Sequence, residues 1–170
     1  MRRLLLFRHA EAVHCDKYSD WERPLTAAGR DKASRVGAFL AETHQRIDLV
    51  LASDSVRTRE TWEVAQAAYA GTPEVQFDRK LYHAERRDLM AMARDLPDSV
   101  ESAIVVGHNP AIAEFAVHFA GSGERDALAR LTRGFPPGGL AILDADIEQW
   151  RQLRWGAGEL GLFLTLAKSA

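Results

Sequence analysis

The sequence predicts an α/β protein, built as a single-domain three-layer α/β/α sandwich with a mostly parallel central sheet. Short apolar runs alternate with longer segments of helical spacing, which is typical of a sheet covered by helices on both faces. The 170 residues contain no internal repeat, low-complexity tract or linker, so one domain over residues 1–170 is expected. Four apolar runs predict strands: Leu4–Phe7, Leu49–Ala52, Ala103–Val106 and Leu140–Leu143.

Four helices are predicted between these strands, from apolar side chains that recur at helical spacing. The first carries the stripe Ala33, Val36 and Leu40, and Thr26 suits its N-cap. The others are a helix with Thr58, Trp62, Ala65 and Tyr69 that ends before Gly71 and Pro73, a helix over about Arg86 to Asp95, and a helix that follows Pro110.

The end of the chain shows a different pattern. Leucines stand at every second position, which predicts a last strand with unequal faces; they are Leu160, Leu162, Leu164 and Leu166. The segments Gly121-Ser122-Gly123 and Gly138-Gly139 are interpreted as turns, because neither follows a strand at the spacing of a nucleotide-binding fingerprint.

Composition excludes several classes of partner. The formal net charge is only −2, so no global field attracts nucleic acid or an anionic membrane, and an anion site must be built locally. Cys15 is the single cysteine, which excludes an internal disulfide and any multi-cysteine zinc site. The apolar run at Leu4–Phe7 is too short for a signal peptide, and no stretch approaches a membrane span, so a cytoplasmic protein is expected.

Three predicted strands lead directly into residues that suit a phosphate. They are followed by Arg8-His9-Ala10-Glu11, by Ser53-Asp54-Ser55-Val56-Arg57 and by Gly107-His108-Asn109-Pro110. Ligands of such sheets bind beyond the carboxyl ends of the strands. Each group alone is weak evidence, because a lone histidine or arginine is more often a surface or core residue. Their shared edge makes a phosphate site the expected reading.

The residue types fit phosphoryl transfer. Arg8 and Arg57 offer permanently charged, forked donors for phosphoryl oxygens. A neutral His9, held by a hydrogen bond at one ring nitrogen, attacks phosphorus with the other. His108 would bind the phosphate beside a helix N-terminus, where free N–H groups favour an anion.

These segments resemble the histidine phosphatase superfamily, which includes the phosphoglycerate mutases. Arg8-His9-Ala10 is similar to its Arg-His-Gly signature. Five further segments extend the resemblance over nearly the whole chain: Asp20 to Gly29, Ser53 to Thr61, Gly107 to Pro110, and the pair Leu81 to Ala84 with Phe135 to Leu140. That last pair is similar to the short bacterial SixA-like phosphohistidine phosphatases. The resemblance implies a phosphoglycerate mutase-like fold.

The resemblance also implies roles for individual residues. His9 would be the nucleophile, and Arg8, Arg57 and His108 would complete the phosphate pocket. Arg23 on the entrance loop and Asn109 after the second histidine are further expected substrate-binding residues. No cofactor and no metal are expected, because His14-Cys15-Asp16 has no spaced partner cluster that would complete a tetrahedral site.

Two departures from the family pattern matter. Ala10 stands where glycine is usual, which would introduce strain if that position needed a positive φ. Mutase-like members also carry a glutamate after the third strand as general acid, whereas here His83 occupies that region and Glu85 follows two residues later. Glu85 is expected as a substrate-binding or acid residue, or alternatively as a carboxylate that stabilises a helix start. Glu11 is a second candidate, so the acid stays open.

The lack of a clearly assigned general acid favours a phosphoramidate substrate. An alcohol leaving group needs a proton, whereas a phosphohistidine can release a neutral imidazole. The leading hypothesis is therefore a metal-independent phosphatase for phosphohistidine in a protein partner. The alternatives are a phosphomonoesterase for a small phosphate ester, such as a nucleotide or sugar phosphate, and a non-catalytic phosphate-binding module.

Overall fold

A computed structural model describes residues 1–167. The described chain contains one seven-stranded sheet and five α-helices, with three short 3₁₀ helices in the connections. The strands are β1 (Arg2–Arg8), β2 (Leu49–Ala52), β3 (Glu74–Phe77), β4 (Ser102–Gly107), β5 (Ala120–Gly123), β6 (Leu140–Ala145) and β7 (Gly158–Leu164). The helices are α1 (Ala27–Glu42), α2 (Val56–Tyr69), α3 (Arg86–Arg94), α4 (Ala111–Phe119) and α5 (Arg125–Arg133).

The sheet has the order β3-β2-β4-β1-β6-β7-β5. Every pairing is parallel except the two that β6 makes with β1 and β7. The predicted mostly parallel sheet is therefore confirmed. Because β6 alone is inverted, the segment that enters β6 lies at the same edge as the residues that leave β1 and β4.

Helices cover both faces of the sheet. In β1, Leu4 and Leu6 pack on the side of α3, α4 and α5, whereas Leu5 and Phe7 pack on the side of α1 and α2. All four side chains are at most 2% exposed, as expected of a strand buried on both faces. This arrangement confirms the three-layer α/β/α sandwich.

Local signals place most helix boundaries. The Thr26 side chain accepts a hydrogen bond from the Gly29 amide and caps α1, as predicted. Gly71 was expected to end helix α2. The helix ends at Tyr69 instead, because Ala70 adopts the left-handed conformation with φ 58°. Gly71 lies beyond that cap. In the described residues, no helix is long and apolar enough to cross a bilayer.

Two sequence-based interpretations are wrong at the far edge of the sheet. The glycine-rich segment Gly121–Gly123 belongs to strand β5 instead of a turn, because it pairs with β7. The leucines of β7 do not share one face. A register shift opposite Ile142 and Leu143 sends Leu160 to the α3–α5 side and Leu162 to the other. Strand β3 and helix α5 were not predicted, because their short or strongly charged sequences lack an apolar run.

Helices α1 and α2 cross in close contact at Gly37. A Cβ atom at this position would lie 2.0 Å from the Ala65 carbonyl oxygen. Only glycine allows this approach of the two backbones. The contact fixes α2, and with it the first turn that carries Arg57, against the rest of the α1 layer.

Candidate active site

The parallel pairing of β1 with β4 brings the two histidines together. Arg8 pairs with Gly107 in the strand register, so His9 and His108 both follow directly at the carboxyl edge. Their ring centroids lie 5.2 Å apart. His108 is 8% exposed and His9 is partly buried. The convergence expected from the sequence is therefore present in the structure.

The backbone around His9 is held from two sides. The His9 amide donates to the Gly107 carbonyl at 3.0 Å, and the Gly138 amide donates to the His9 carbonyl at 3.0 Å. The Ala10 amide donates to the buried Thr61 hydroxyl at 3.0 Å, and that hydroxyl donates to the Arg57 carbonyl at 2.6 Å. Ala10 is not among the residues with positive φ, so the alanine introduces no strain there.

Arg57 connects the two imidazoles and fixes their tautomers. An arginine only donates hydrogen bonds, so the ring nitrogens that face it are acceptors. Its Nε lies 3.4 Å from Nε2 of His9, and its Nη2 lies 3.3 Å from Nδ1 of His108. Nδ1 of His9 therefore carries the proton and donates to the Ala10 carbonyl at 2.8 Å. The lone pair of Nε2 remains available for attack.

His108 is oriented in the same way. Because its Nδ1 faces Arg57, its Nε2 carries the proton and donates to the Ser53 hydroxyl at 2.9 Å. Ser53 is fully buried at the end of β2. His9 follows β1, Ser53 follows β2 and His108 follows β4, so three neighbouring strands position the two imidazole rings. We call the rings of His9 and His108 the ring pair.

Both imidazoles are kept neutral. Burial, followed by the positive charges of Arg57, Arg8 and Arg23, lowers the His9 pKa to about 4, although the hydrogen bond to Ala10 opposes that shift. Burial, together with the nearby His9 and the arginines, lowers the His108 pKa to about 3. A neutral imidazole among cations is the state that a nucleophile toward phosphorus requires.

Asp20 supplies the negative charge of the site. Its carboxylate accepts hydrogen bonds from Arg57 Nη2 at 3.1 Å, from Arg23 Nη1 at 3.0 Å and from the Tyr82 hydroxyl. Its carbonyl accepts a further bond from Arg57 Nη1 at 2.5 Å. The hydrogen bond from Tyr82, followed by those from the arginines, holds the Asp20 pKa well below its usual range.

Arg8 and Asn109 share one acceptor on the loop before β6. Nη1 of Arg8 and Nδ2 of Asn109 donate to the Phe135 carbonyl at 2.8 and 3.0 Å. Nε of Arg8 is buried without a hydrogen-bond partner in the described chain. Burial and the charge of Arg57 lower the Arg8 pKa, but a guanidinium stays charged at neutral pH.

Arg23 lies on the entrance loop and faces the same cluster. Its Nε donates to the Val13 carbonyl at 2.7 Å, and its Nη1 pairs with Asp20. Its charge contributes to the lowered pKa of His9. Arg23 is therefore near enough to add positive potential, whereas its contact with a ligand stays a prediction.

The candidate acids are engaged elsewhere or lie outside the ring pair. At the start of α3 the Glu85 amide donates to the Asp88 carboxylate at 2.8 Å, and the Glu85 carboxylate pairs with Arg87 at 2.7 Å and is 63% exposed. Glu11 accepts from the Thr26 hydroxyl at 2.9 Å. His83 is exposed, and its ring contacts Tyr82, which in turn contacts His108 edge to face. The contacts of Glu85 with Asp88 and Arg87 stabilise the start of α3. Its role in substrate binding stays a prediction.

Sequence reasoning did not single out Asp20, Ser53, Thr61 or Tyr82 as site residues. Asp20, Ser53 and Tyr82 have polar side chains in the segments that carry the family resemblance, but their contacts depend on the tertiary fold. Within residues 1–167, no group of three or more His, Cys, Asp or Glu side chains is arranged to hold a metal ion.

The fold and this cluster define an α/β protein with a candidate phosphoryl-binding site, in which two neutral histidines lie beside two buried or half-buried arginines. Residues 4–89 match the family model of the histidine phosphatase superfamily, branch 1. The chain belongs to the histidine phosphatase superfamily, and its general activity is that of a phosphatase.

Individual relatives agree with that placement. An uncharacterized protein of Mycobacterium leprae is 30% identical over 162 residues, which cover 92% of this chain and 97% of that protein. A solved structure from Agrobacterium tumefaciens, whose proposed identity is the phosphohistidine phosphatase SixA, is 30% identical with a TM-score of 0.81 and covers 97% of this chain and 98% of its own. The protein histidine phosphatase SixA complexed with tungstate shares the fold, with a TM-score of 0.77, 20% identity and 96% coverage of both chains. The predicted SixA-like resemblance is confirmed.

Proposed function

We propose that this phosphatase removes the phosphoryl group from phosphohistidine in a protein partner, through a phosphoenzyme formed on His9. One observation carries the proposal. His9 donates its Nδ1 proton to a backbone carbonyl, so its Nε2 lone pair faces the arginine that would hold the phosphoryl oxygens.

The reaction then takes two steps. Nε2 of His9 forms a bond to phosphorus as the bond between phosphorus and the substrate nitrogen breaks, and the electron pair of that bond stays on the substrate imidazole. Arg8, Arg57 and His108 stabilise the charge on the phosphoryl oxygens. Water next attacks phosphorus, the bond to Nε2 breaks, and its electron pair returns to His9. The proton lost by water passes to the released phosphate or to solvent.

The other partners of the two candidate carboxylates, Glu85 and Glu11, support an N–P bond over an O–P bond. An alkoxide leaving group needs a proton donor, which commonly contributes about 10²–10⁴ in rate. The Glu85 carboxylate pairs with Arg87 at 2.7 Å, and the Glu11 carboxylate accepts from the Thr26 hydroxyl, so each has another partner. A substrate imidazole with a protonated second nitrogen leaves as a neutral molecule. The 30% identical structure from Agrobacterium tumefaciens named above adds support for the same substrate class.

A protein substrate is supported by the exposed mouth of the site. Asp20 is 55% exposed although it touches Arg57, and His83 is exposed beside Tyr82. A histidine side chain that projects from a partner protein reaches such a mouth without a channel. The cytoplasmic location expected from the sequence stays a prediction, which cell fractionation tests.

The test measures phosphate release from a phosphohistidine-bearing protein and from an alkyl phosphate, with a chelator present throughout. Wild type and His9→Ala run side by side. We expect preference for the phosphohistidine protein, no effect of the chelator, and loss of turnover by about 10³-fold or more in the variant. Near-normal activity of His9→Ala would exclude His9 as the nucleophile. Loss of activity in the chelator, restored by added metal, would contradict metal independence.

Two other outcomes select the alternatives. Efficient turnover of the alkyl phosphate, lost in Glu85→Gln, would move the substrate class to small phosphate esters. Tight binding of the phosphorylated protein without phosphate release would identify a binding module.

A further inference from the structure

A cavity of about 580 Å³ adjoins the phosphoryl site on the side of Arg8. We call it the side pocket; its lining includes Arg8, Asn109, Arg130, Arg133, Phe135 and Phe163. Arg130 and Arg133 lie in the last turn of α5, and Phe135 lies in the loop that enters β6. All of these segments end or begin at the carboxyl edge of β1. Arg8 therefore lines the side pocket while it stands next to the nucleophile in sequence.

The side pocket has an apolar floor and a cationic rim. Phe135 and Phe163 are 3% and 2% exposed and pack edge to face with centroids 5.0 Å apart. The Arg130 guanidinium lies 5.9 Å from the Phe163 ring centroid. Three of the lining residues are arginines and none is an aspartate or glutamate. Such a lining favours an anionic group on a short apolar stem.

Arg130 and Arg133 differ from those exposed arginines that form ion pairs, such as Arg30 and Arg46. Arg30 pairs with Glu60 at 2.6 Å and Arg46 pairs with Asp48 at 2.7 Å. Within residues 1–167, no carboxylate lies within ion-pair distance of Arg130 or Arg133. Glu124, the acidic group that Arg130 influences, uses its carboxylate to cap α5. The rim thus concentrates unpaired positive charge beside the phosphoryl site.

We propose that the side pocket binds a second anionic group, a carboxylate or a phosphate, carried by the same substrate whose phosphoryl group meets His9. The proposal rests on the proposed function and deepens it, because it selects among phosphorylated substrates. For a protein partner, the group is an acidic side chain near the phosphohistidine. Arg8, shared by both anions, couples their binding.

Two families of substrate test this second contact. Phosphohistidine peptides carry one glutamate at successive positions on either side of the phosphohistidine, and each has a glutamine-matched twin. In parallel, an alkyl monophosphate is compared with alkane bisphosphates of increasing length, so that a peptide carboxylate is distinguished from a second phosphate. The enzymes are wild type, Arg130→Gln/Arg133→Gln, and Arg125→Gln, an exposed arginine at the opposite end of α5.

We expect wild type to prefer at least one glutamate peptide over its twin by about 10-fold in kcat/KM, mainly through KM. The double variant should lose that preference but keep the rate on neutral twins, and Arg125→Gln should behave as wild type. Equal kcat/KM within every peptide pair and for the mono- and bisphosphates alike, or equal losses of the double variant on acidic and neutral substrates, would overturn the proposal. Preference restricted to the bisphosphates would support the subsite and assign it to a small molecule.

Failure of the proposed function remains distinguishable. If wild type releases no phosphate from any peptide, the matched ligands are titrated calorimetrically into His9→Ala, with and without the two α5 substitutions. Tighter binding of acidic ligands that depends on Arg130 and Arg133 would retain the side pocket as a subsite. Equal binding of acidic and neutral ligands there would reject it.

Discussion

Nε of Arg57 lies 3.4 Å from Nε2 of His9, so a permanent cation faces the lone pair of the proposed nucleophile. The same guanidinium contacts His108 and Asp20, and its side chain is only 7% exposed. The charge of Arg57 adds to the burial that lowers the His9 pKa, and in the proposed mechanism the same guanidinium binds the phosphoryl oxygens. Its planar fork, more than its charge, matches these simultaneous contacts.

Replacement of Arg57 tests the value of that fork. Arg57→Lys keeps the charge but cannot contact His9, His108 and Asp20 at the same time. We expect kcat/KM to fall by about 10²–10³-fold. The matched control is Arg59→Lys on the same helix, whose guanidinium lies over Phe77 at 4.0 Å and outside the ring pair. Steady-state phosphate release measures both. Retained activity in Arg57→Lys would show that charge alone suffices.

The lowered pKa values of both histidines predict a dependence of stability on pH. The His9 and His108 pKa values are about 4 and about 3 in the fold, against about 6.5 in an unfolded chain. Between those limits the unfolded chain binds more protons, so the free energy of unfolding falls as pH decreases from about 6.5 toward 4. Urea denaturation at several pH values measures the slope. A His108→Asn variant should show a smaller slope; an unchanged slope would mean that His108 contributes nothing to it.

The hydroxyl of Thr61 is expected to position the loop that carries His9. Thr61→Val keeps the shape but leaves the Ala10 amide without its acceptor, which should cost about 1–3 kcal/mol of unfolding free energy. Thr61→Ser keeps the hydroxyl and serves as the control. Urea denaturation gives the stability, and kcat should fall with it in the valine variant because His9 adjoins the loosened amide. Equal stability of the two variants would remove this role.

The charge of Asp20 is expected to oppose an incoming phosphate. In Asp20→Asn the amide oxygen still accepts from Tyr82, but the negative charge near Arg57 is gone. We expect inorganic phosphate to inhibit the variant roughly 3- to 10-fold more tightly, an effect that weakens in high salt. Asp16→Asn on the same exposed loop is the control. Weaker inhibition in Asp20→Asn would instead make the carboxylate an organiser of Arg57.

The helix crossing at Gly37 predicts a large stability effect far from the ring pair. Gly37→Ala places a methyl group against the Ala65 carbonyl and should lower the unfolding free energy by about 1–3 kcal/mol. On helix propensity alone, the same change would stabilise α1 by up to about 1 kcal/mol. Ala28→Gly on the exposed side of α1 calibrates that propensity term. Stabilisation by Gly37→Ala in urea denaturation would refute the close contact.

Much of the fold was predictable because local patterns and long-range packing agree. The run Leu49–Ala52 coincides with β2, and the Thr26 cap marks the start of α1. The histidines were predictable for the same reason, since each directly follows a buried parallel strand. The predicted strands and the family signature both place the two histidines at the carboxyl edge of the sheet.

The remaining features depend on distant contacts. Asp20 is an ordinary loop carboxylate in sequence, and its contact with Tyr82 spans 62 positions. The register shift in β7 follows from its pairing with β6. The side pocket joins Arg8 to the end of α5, and its charge becomes visible only when both segments reach the same edge.

The central place of β1 has a consequence for synthesis of the chain. Its two partners, Ser102–Gly107 and Leu140–Ala145, are translated roughly a hundred residues or more after Arg2–Arg8. Until then Leu4–Phe7 is an apolar strand with both edges open, a segment prone to pair with other chains. The nascent polypeptide therefore exposes this segment until both partners emerge, and the two histidine rings can meet only after His108 has been synthesised.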